Sequence, residues 1–296
     1  MILTAKSLSW SSLLYAFLIY GVVLVLACQR WVILLHSFSI QVKFSLAARL
    51  MFIGLFFNNM MPSLTGGDVI KAYYTAKGTH KKMEAVTSIV LDRVFGVLGL
   101  LSLAAIGSFF ALENEVLKGL ARIVLFLVLL VITGLTVFLN LNHLRRIPAV
   151  KNFAEKLYGF QQVRRLYQTF TALKDNKKAA LQVFGLSILM QSLLIIANFI
   201  LALGLGISGI SLAQFFVIIP IAQFISALPI SFAGWGVGEG AYRSLFLMLN
   251  PNFGGLAVVL SIVYRFVMLT FSLFGFPLYL MYRHGPIDSE MKEIEV

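Results

Sequence analysis

Long apolar runs dominate the chain, and most of them are about as long as a helix that crosses the hydrocarbon core of a bilayer. Five uninterrupted runs predict full membrane spans, and two others are broken by proline and glycine. The predicted spans are Trp10 to Cys28, Ala85 to Leu112, Leu120 to Leu141, Ala179 to Leu205 and Leu256 to Tyr282. The pattern therefore predicts an all-α integral membrane protein.

The two broken runs turn back at glycine-rich segments. The first segment reads NNMMPSLTGGDVIKAYYTAK at 58–77, and the second reads LPISFAGWGVGEGAYR at 228–243. Backbone freed by such a turn needs protein or water as its hydrogen-bonding partner, because lipid offers none. We therefore predict two re-entrant helical hairpins, 44–77 open to the cytoplasm and 212–250 open to the outside. Broken helices in corresponding positions are typical of transporters built from inverted repeats.

The composition favours a single membrane domain, because 59% of the residues are hydrophobic and only 12% are charged. We predict one polytopic domain over residues 1–296, with repeat one at about 44–141, repeat two at about 179–282 and a polar tail at 283–296. Between the repeats, residues 142–178 combine nine of the 24 lysines and arginines with helically spaced apolar residues. This pattern predicts a basic amphipathic segment on the membrane surface.

The basic residues also predict the orientation. The positive-inside rule puts residues 142–178 and the C-terminus in the cytoplasm and the N-terminus outside, in a multi-pass protein of the plasma membrane. Basic flanks contact anionic lipid headgroups. The net charge of +12 therefore does not indicate nucleic-acid binding, which we do not expect. The sequence leaves open whether the chain forms a homo-oligomer.

We expect no metal, no cofactor and no catalytic residue. Cys28 is the only cysteine, and no two of the four histidines stand at the spacing of metal ligands. The chain contains no GxSxG elbow and no phosphate-binding P-loop. Without an ATP-binding motif, any transport would be downhill or coupled to an ion.

The first hairpin holds the strongest candidates for ligand binding. A helix that starts at Gly66 or Gly67 points free N–H groups and a positive dipole end at the membrane interior, which suits an anion such as phosphate. Lys71 adds a positive charge one turn later. The alternative is structural: the glycines let the hairpin turn tightly, and Asp68 caps the helix.

The second hairpin repeats this chemistry. Gly234 and Gly236 permit a tight turn, and Glu239 and Arg243 follow on the next helix. Because Glu239 and Arg243 are four residues apart, they share one helix face and can form an ion pair. These residues either bind the ligand or lock the hairpin internally, and the sequence does not separate the two.

Two arginines lie deep within the predicted spans. Arg93 and Arg265 are eight or nine residues into their spans, which is about 12 to 14 Å deep at the helical rise. A guanidinium at that depth needs a carboxylate, backbone carbonyls or a ligand phosphate. The candidate protein partners are Asp68, Asp92 and Glu239. These three acids face four cations in the same segments, Lys71, Arg93, Arg243 and Arg265, so about one positive charge is left. That surplus favours an anionic ligand.

Three motifs resemble the signatures of a known family, the lysylphosphatidylglycerol synthase transmembrane (flippase-like) family. They are PSLTGGD at 62–68, LDRVFG at 91–96 and PISFAGWGVGE at 229–239. In that family the membrane domain of aminoacyl-phosphatidylglycerol synthases moves the modified lipid between leaflets, and a separate soluble domain makes it. The resemblance covers the membrane part alone, so it implies translocation without aminoacyl transfer. By motif match it implies a role in the central cavity for Gly66, Gly67, Asp68, Arg93, Gly234 and Glu239.

The leading hypothesis is a lipid transporter that holds an anionic headgroup in a polar central cavity, with membrane lipids as its partners. The predicted substrate-binding residues are Gly66, Gly67, Asp68, Lys71, Asp92, Arg93, Gly234, Gly236, Glu239, Arg243 and Arg265. Two alternatives remain. The chain could be a membrane enzyme or accessory subunit acting on lipid-linked sugars, with the acids as general acid and base, or a small-solute transporter.

Overall fold

The computed structural model describes residues 8–61, 66–77, 79–110, 115–140, 176–227 and 234–284, together with Tyr167 and Phe170. In these ranges the chain forms helices and turns and no strand. The helices are α1 (Trp10–Ser37), α2 (Phe44–Met60), α3 (Gly66–Lys77), α4 (Lys82–Phe110), α5 (Glu115–Leu139), α6 (Lys177–Gly204), α7 (Leu212–Ser226), α8 (Val237–Leu249), a 3-10 turn (Pro251–Phe253), α9 (Gly254–Leu273) and α10 (Gly275–His284). The predicted all-α fold is confirmed.

Within these ranges, five helical segments are long and apolar enough to cross a membrane, as predicted. They are Trp10–Ser37, Lys82–Phe109, Leu117–Phe138, Lys177–Gly204 and Pro251–Met281. The main difference from the sequence prediction lies in the first span, which continues well beyond Cys28 to Ser37. Arg30 therefore belongs to a span and not to a loop. The predicted amphipathic segment falls almost entirely outside the described residues, and so does most of the polar tail.

The helix pair α2 and α3 begins and ends at one end of the bundle. The Lys81 ammonium donates to the Phe38 and Ser39 carbonyls, both at 3.2 Å. These bonds tie the start of α4 to the end of α1. Because α2 starts just after this point and α3 finishes just before it, both open ends of the pair lie there.

The pair α7 and α8 begins and ends at the opposite end. The Ser9 N–H donates to the Gly204 carbonyl at 3.2 Å, which ties the start of α1 to the end of α6. The short connection to α7 follows Gly204, and the aromatic ring of Phe215 in α7 contacts that of Phe246 in α8. Since α1 runs the length of the bundle, the two helix pairs enter it from opposite ends. Their re-entrant insertion into a bilayer and their relation as inverted repeats stay predictions.

Two apolar clusters fill the bundle, one toward each end. The first gathers around Trp31, Leu34 and Ile53, and the second around Phe215 and Phe246. Helices α1, α4 and α6 each contribute to both clusters. On α4 and α6, the polar residues Asp92, Arg93 and Ser187 lie along the chain between the two contributions, whereas Arg30 of α1 lies at the inner part of the first cluster, between Cys28 and Trp31. Together these residues form a polar layer beside the first cluster.

Candidate functional site

The tip of the first helix pair is a contact between two backbones. Helix α3 begins at Gly66, as the sequence predicted. Gly67 lies so close to α2 that a side chain there would overlap the Gly54 carbonyl. The Gly67 N–H donates to the Asn58 side-chain oxygen at 2.8 Å, so one N–H at this helix start already has a protein partner. The glycine is required here for packing as well as for the turn.

Asp68, Lys71 and Arg93 come together beside this tip, and we call them the Arg93 triad. Arg93 Nε donates to Asp68 Oδ2 at 2.7 Å. Lys71 Nζ lies 3.7 Å from the other carboxylate oxygen, and 4.8 Å from the centroid of the Trp31 ring. Lys71 is only 4% exposed. The carboxylate of Asp68 is therefore shared by two cations.

Arg93 is held on one side and open on the other. Its side chain is 55% exposed, although the residue lies eleven positions into α4 and so about 16 Å from the helix start. Among the described residues only its Nε has a hydrogen-bond partner, which leaves both terminal nitrogens on the open side. A guanidinium in the middle of a span avoids lipid and faces a polar or water-filled space. Within the described part of the chain, the terminal nitrogens of Arg93 thus have no hydrogen-bond partner at mid-span.

A second, fully buried cluster lies beside the triad, and the sequence did not predict its centre. Arg30 Nε donates to Asp92 Oδ1 at 2.8 Å, and its Nη1 donates to Ser187 Oγ at 2.8 Å. We call these residues the Arg30 cluster. It joins α1, α4 and α6. Asp92 therefore has a structural partner, whereas its neighbour Arg93 points away to the triad.

The tip of the second helix pair has its own arginine and carboxylate, which we call the Arg265 pair. Glu239 Oε1 lies 3.2 Å from Arg265 Nε, and its Oε2 accepts from the Gly236 N–H at 2.6 Å. Arg265 Nη2 donates to the Gly234 carbonyl at 3.1 Å, and its guanidinium stacks 4.7 Å from the centroid of the Trp235 ring. Gly234 and Gly236 adopt φ values of +77° and +80°, which favour glycine.

Among the described residues, Glu239 and Arg243 do not form the ion pair that their spacing permits. Glu239 bends back to cap the start of α8 through the Gly236 N–H, which turns its carboxylate away from Arg243 one turn later. Arg243 is exposed, and Glu239 pairs with Arg265 instead. The i, i+4 spacing permits an ion pair, but the capping bond and the neighbouring span decide which partner is used.

The two tips have the same construction. In each, the third residue of the short helix is an acid, and it pairs with an arginine eleven residues into the following long helix. Each also stacks a cation on a tryptophan ring. They differ in exposure, because the Arg93 side chain is 55% exposed and that of Arg265 only 15%. Nine of the eleven predicted residues lie in these two tips, Asp92 belongs to the Arg30 cluster, and Arg243 stands apart.

Comparison with known proteins supports a membrane protein of one family. The sequence profile described as the lysylphosphatidylglycerol synthase TM region matches residues 2–275. A UPF0104 membrane protein of Pyrococcus horikoshii is 24% identical over 280 residues, which cover 86% of this chain and 82% of the relative. A UPF0104 membrane protein of Methanothermobacter thermautotrophicus is 25% identical over 285 residues, which cover 87% and 82%. No solved structure matches the chain.

Proposed function

The chain belongs to the lysylphosphatidylglycerol synthase transmembrane family, and from that premise we propose that it carries an anionic lipid headgroup between the two leaflets of the membrane. Arg93 is the observation on which the proposal rests. A guanidinium that is 55% exposed in the middle of an apolar span needs an anion or water opposite it. A lipid phosphate meets that need, since the terminal nitrogens of arginine bind phosphate oxygens as a fork.

The remaining charges favour an anion over a cation. The ion pairs formed among the described residues contain four cations, Arg30, Lys71, Arg93 and Arg265, and only three carboxylates, Asp68, Asp92 and Glu239. A surplus positive charge in a low-dielectric region lowers the free energy of a bound anion. A polar central cavity with this surplus would hold the phosphate while the acyl or prenyl chains stay in lipid.

The two helix tips provide a route from one side to the other. A headgroup would first bind at Arg93, on the helix pair that we expect to open to the cytoplasm. It would then pass to Arg265, on the pair that opens to the opposite side. At each station, protein donors would replace the water around the phosphate, which lowers the cost of crossing hydrocarbon. We propose transport without chemical change of the lipid, in the plasma membrane, with residues 142–178 and the C-terminus in the cytoplasm.

Replacing Arg93 with alanine tests the proposal. Purified protein is reconstituted into phosphatidylcholine liposomes with a trace of fluorescent phosphatidylglycerol, and a membrane-impermeant quencher reports how fast the label reaches the outer leaflet. We expect Arg93→Ala to slow this transfer about 30-fold, because it removes charge-assisted bonds to the phosphate. Arg122→Ala, which removes an exposed arginine near the start of α5, should transfer lipid at the wild-type rate.

Three outcomes would contradict the proposal. The first is wild-type protein that transfers no faster than empty liposomes. The second is transfer that Arg93→Ala leaves intact. The third is a change in the mass of the lipid during the assay, which would favour the enzyme alternative. Uptake of a small solute into the same liposomes, with no lipid movement, would favour a small-solute transporter.

A further inference from the structure

The surplus positive charge has a definite location. Arg30 pairs with Asp92, and Arg265 pairs with Glu239. The Arg93 triad is different, because Asp68 lies within ion-pairing distance of both Lys71 and Arg93, while Asp92, which acts on Lys71 from farther away in the chain, is paired with Arg30. Among the ion pairs of the described residues, it is therefore at the first helix tip that two cations share one carboxylate, beside the exposed edge of Arg93.

We infer that Lys71 is the residue that keeps Arg93 selective for anions, because it cancels the charge of Asp68. Asp68 holds Nε of Arg93 at 2.7 Å and so fixes the direction of the guanidinium. The same carboxylate would repel a phosphate that approached the terminal nitrogens. With Lys71 in place, Asp68 can orient Arg93 without neutralising it. This inference rests on the proposed function.

Lys71 acts through Asp68 and does not contact the ligand itself. Its ammonium is buried, at 4% exposure, and lies over the Trp31 ring. Its stem fills the space left by Gly54, where an added Cβ would come within 2.8 Å of Lys71 Cγ. A lysine held in this way neither extends to the surface nor reaches the open side of Arg93. It is a positioning residue that acts by its charge.

The second helix tip differs in its charges. The described residues place no second cation within ion-pairing distance of Glu239, which pairs with Arg265. The indole of Trp235 covers the Arg265 guanidinium. The side chain of Arg265 is far less exposed than that of Arg93. In this conformation the anion site is therefore at Arg93, and the Arg265 pair is closed.

A charge-restoring double substitution tests the role of Lys71. Lys71→Met removes the charge and keeps most of the volume, so the triad becomes neutral. Adding Asp68→Asn removes the negative charge and returns the triad to +1. The readout is the Kd of the purified protein in neutral detergent for short-chain phosphatidylglycerol. The uncharged diacylglycerol with the same chains serves as the comparator.

We expect Lys71→Met to weaken phosphatidylglycerol binding about 30-fold, as one charge several ångströms away should do at an effective dielectric constant of about 20. Binding of the diacylglycerol should not change. The double variant Lys71→Met with Asp68→Asn should return to within about threefold of the wild-type Kd, since the net charge is again the same. A purely structural role of Lys71 would also weaken binding of the uncharged diacylglycerol, which the charge role leaves unchanged.

Several results would overturn the inference while leaving the proposed function intact. One is wild-type affinity in Lys71→Met, and another is a double variant that stays as weak as the single one. If Lys71→Met proves too unstable to purify, Asp68→Asn alone decides, because its triad of +2 should bind about tenfold more tightly. Equal or weaker binding would then refute the charge role. A different result would contradict the proposed function itself, namely phosphatidylglycerol binding that is unchanged in Arg93→Ala.

Discussion

Replacing Arg30 with alanine should lower the stability of the protein by about 3 to 5 kcal/mol, because it leaves the Asp92 carboxylate buried without its cation. Arg30 is 6% exposed and donates to both Asp92 and Ser187. Its removal therefore breaks the hydrogen bonds that join α1 to α4 and α6. It also leaves a cavity at the level of the polar layer. We expect a thermal midpoint at least about 5 °C below wild type in neutral detergent.

The midpoint can be followed by the fraction of protein that stays monodisperse on size exclusion after heating. Arg122→Ala is the matched control, because it removes an exposed arginine from a span and should leave the midpoint unchanged. Removing both partners should be far less costly than removing one, so Arg30→Met combined with Asp92→Leu should recover most of the loss. A midpoint of Arg30→Ala within about 1 °C of wild type would show that the cluster does not stabilise the fold.

The spans could be predicted because their signal is local. A run of apolar residues long enough to cross a bilayer forms a helix whatever it packs against, since lipid leaves the backbone no other partner. The start of α3 at Gly66 is local as well, because the glycines fix where the chain turns. The same holds for the arginines within the spans, whose need for a partner follows from depth alone.

Arg30 could not be found this way, because its partners are distant in the chain. It stands near the end of an apolar run, where an arginine usually marks the membrane surface. Asp92 and Ser187 are 62 and 157 residues away, so only the packed bundle brings them to it. The sequence does contain one signal for it, because the apolar run resumes at Trp31 and continues to Leu35. A charge inside a run that continues beyond it needs a buried partner.

The repeated tips connect the fold to the proposed transport. An acid on a short helix and an arginine on the next long helix occur twice, on helix pairs that enter from opposite ends. Equivalent sites in different states are what alternating access requires, since only one side should be open at a time. The exposed Arg93 and the covered Arg265 fit one such state. Transport would then need the reverse arrangement to form, with Arg93 covered and Arg265 open.

Replacing Gly67 with alanine should prevent normal packing of the first helix pair and destabilise the protein by about 3 kcal/mol or more. The added methyl group would occupy the position of the Gly54 carbonyl, and a backbone carbonyl cannot turn aside as a side chain can. Helices α2 and α3 would have to separate. Asp68, the next residue along the chain, would move away from Arg93 with them, so lipid transfer should fall together with stability.

Gly185→Ala is the matched control for this prediction. It places the same methyl group on an exposed position of α6 with nothing within 4 Å, so it should be neutral or slightly stabilising, because alanine favours the helix. Both variants can be compared by the size-exclusion midpoint and by the liposome assay. If Gly67→Ala melts and transfers lipid like Gly185→Ala, the close contact of the two backbones cannot be what holds the first helix pair and its aspartate in place.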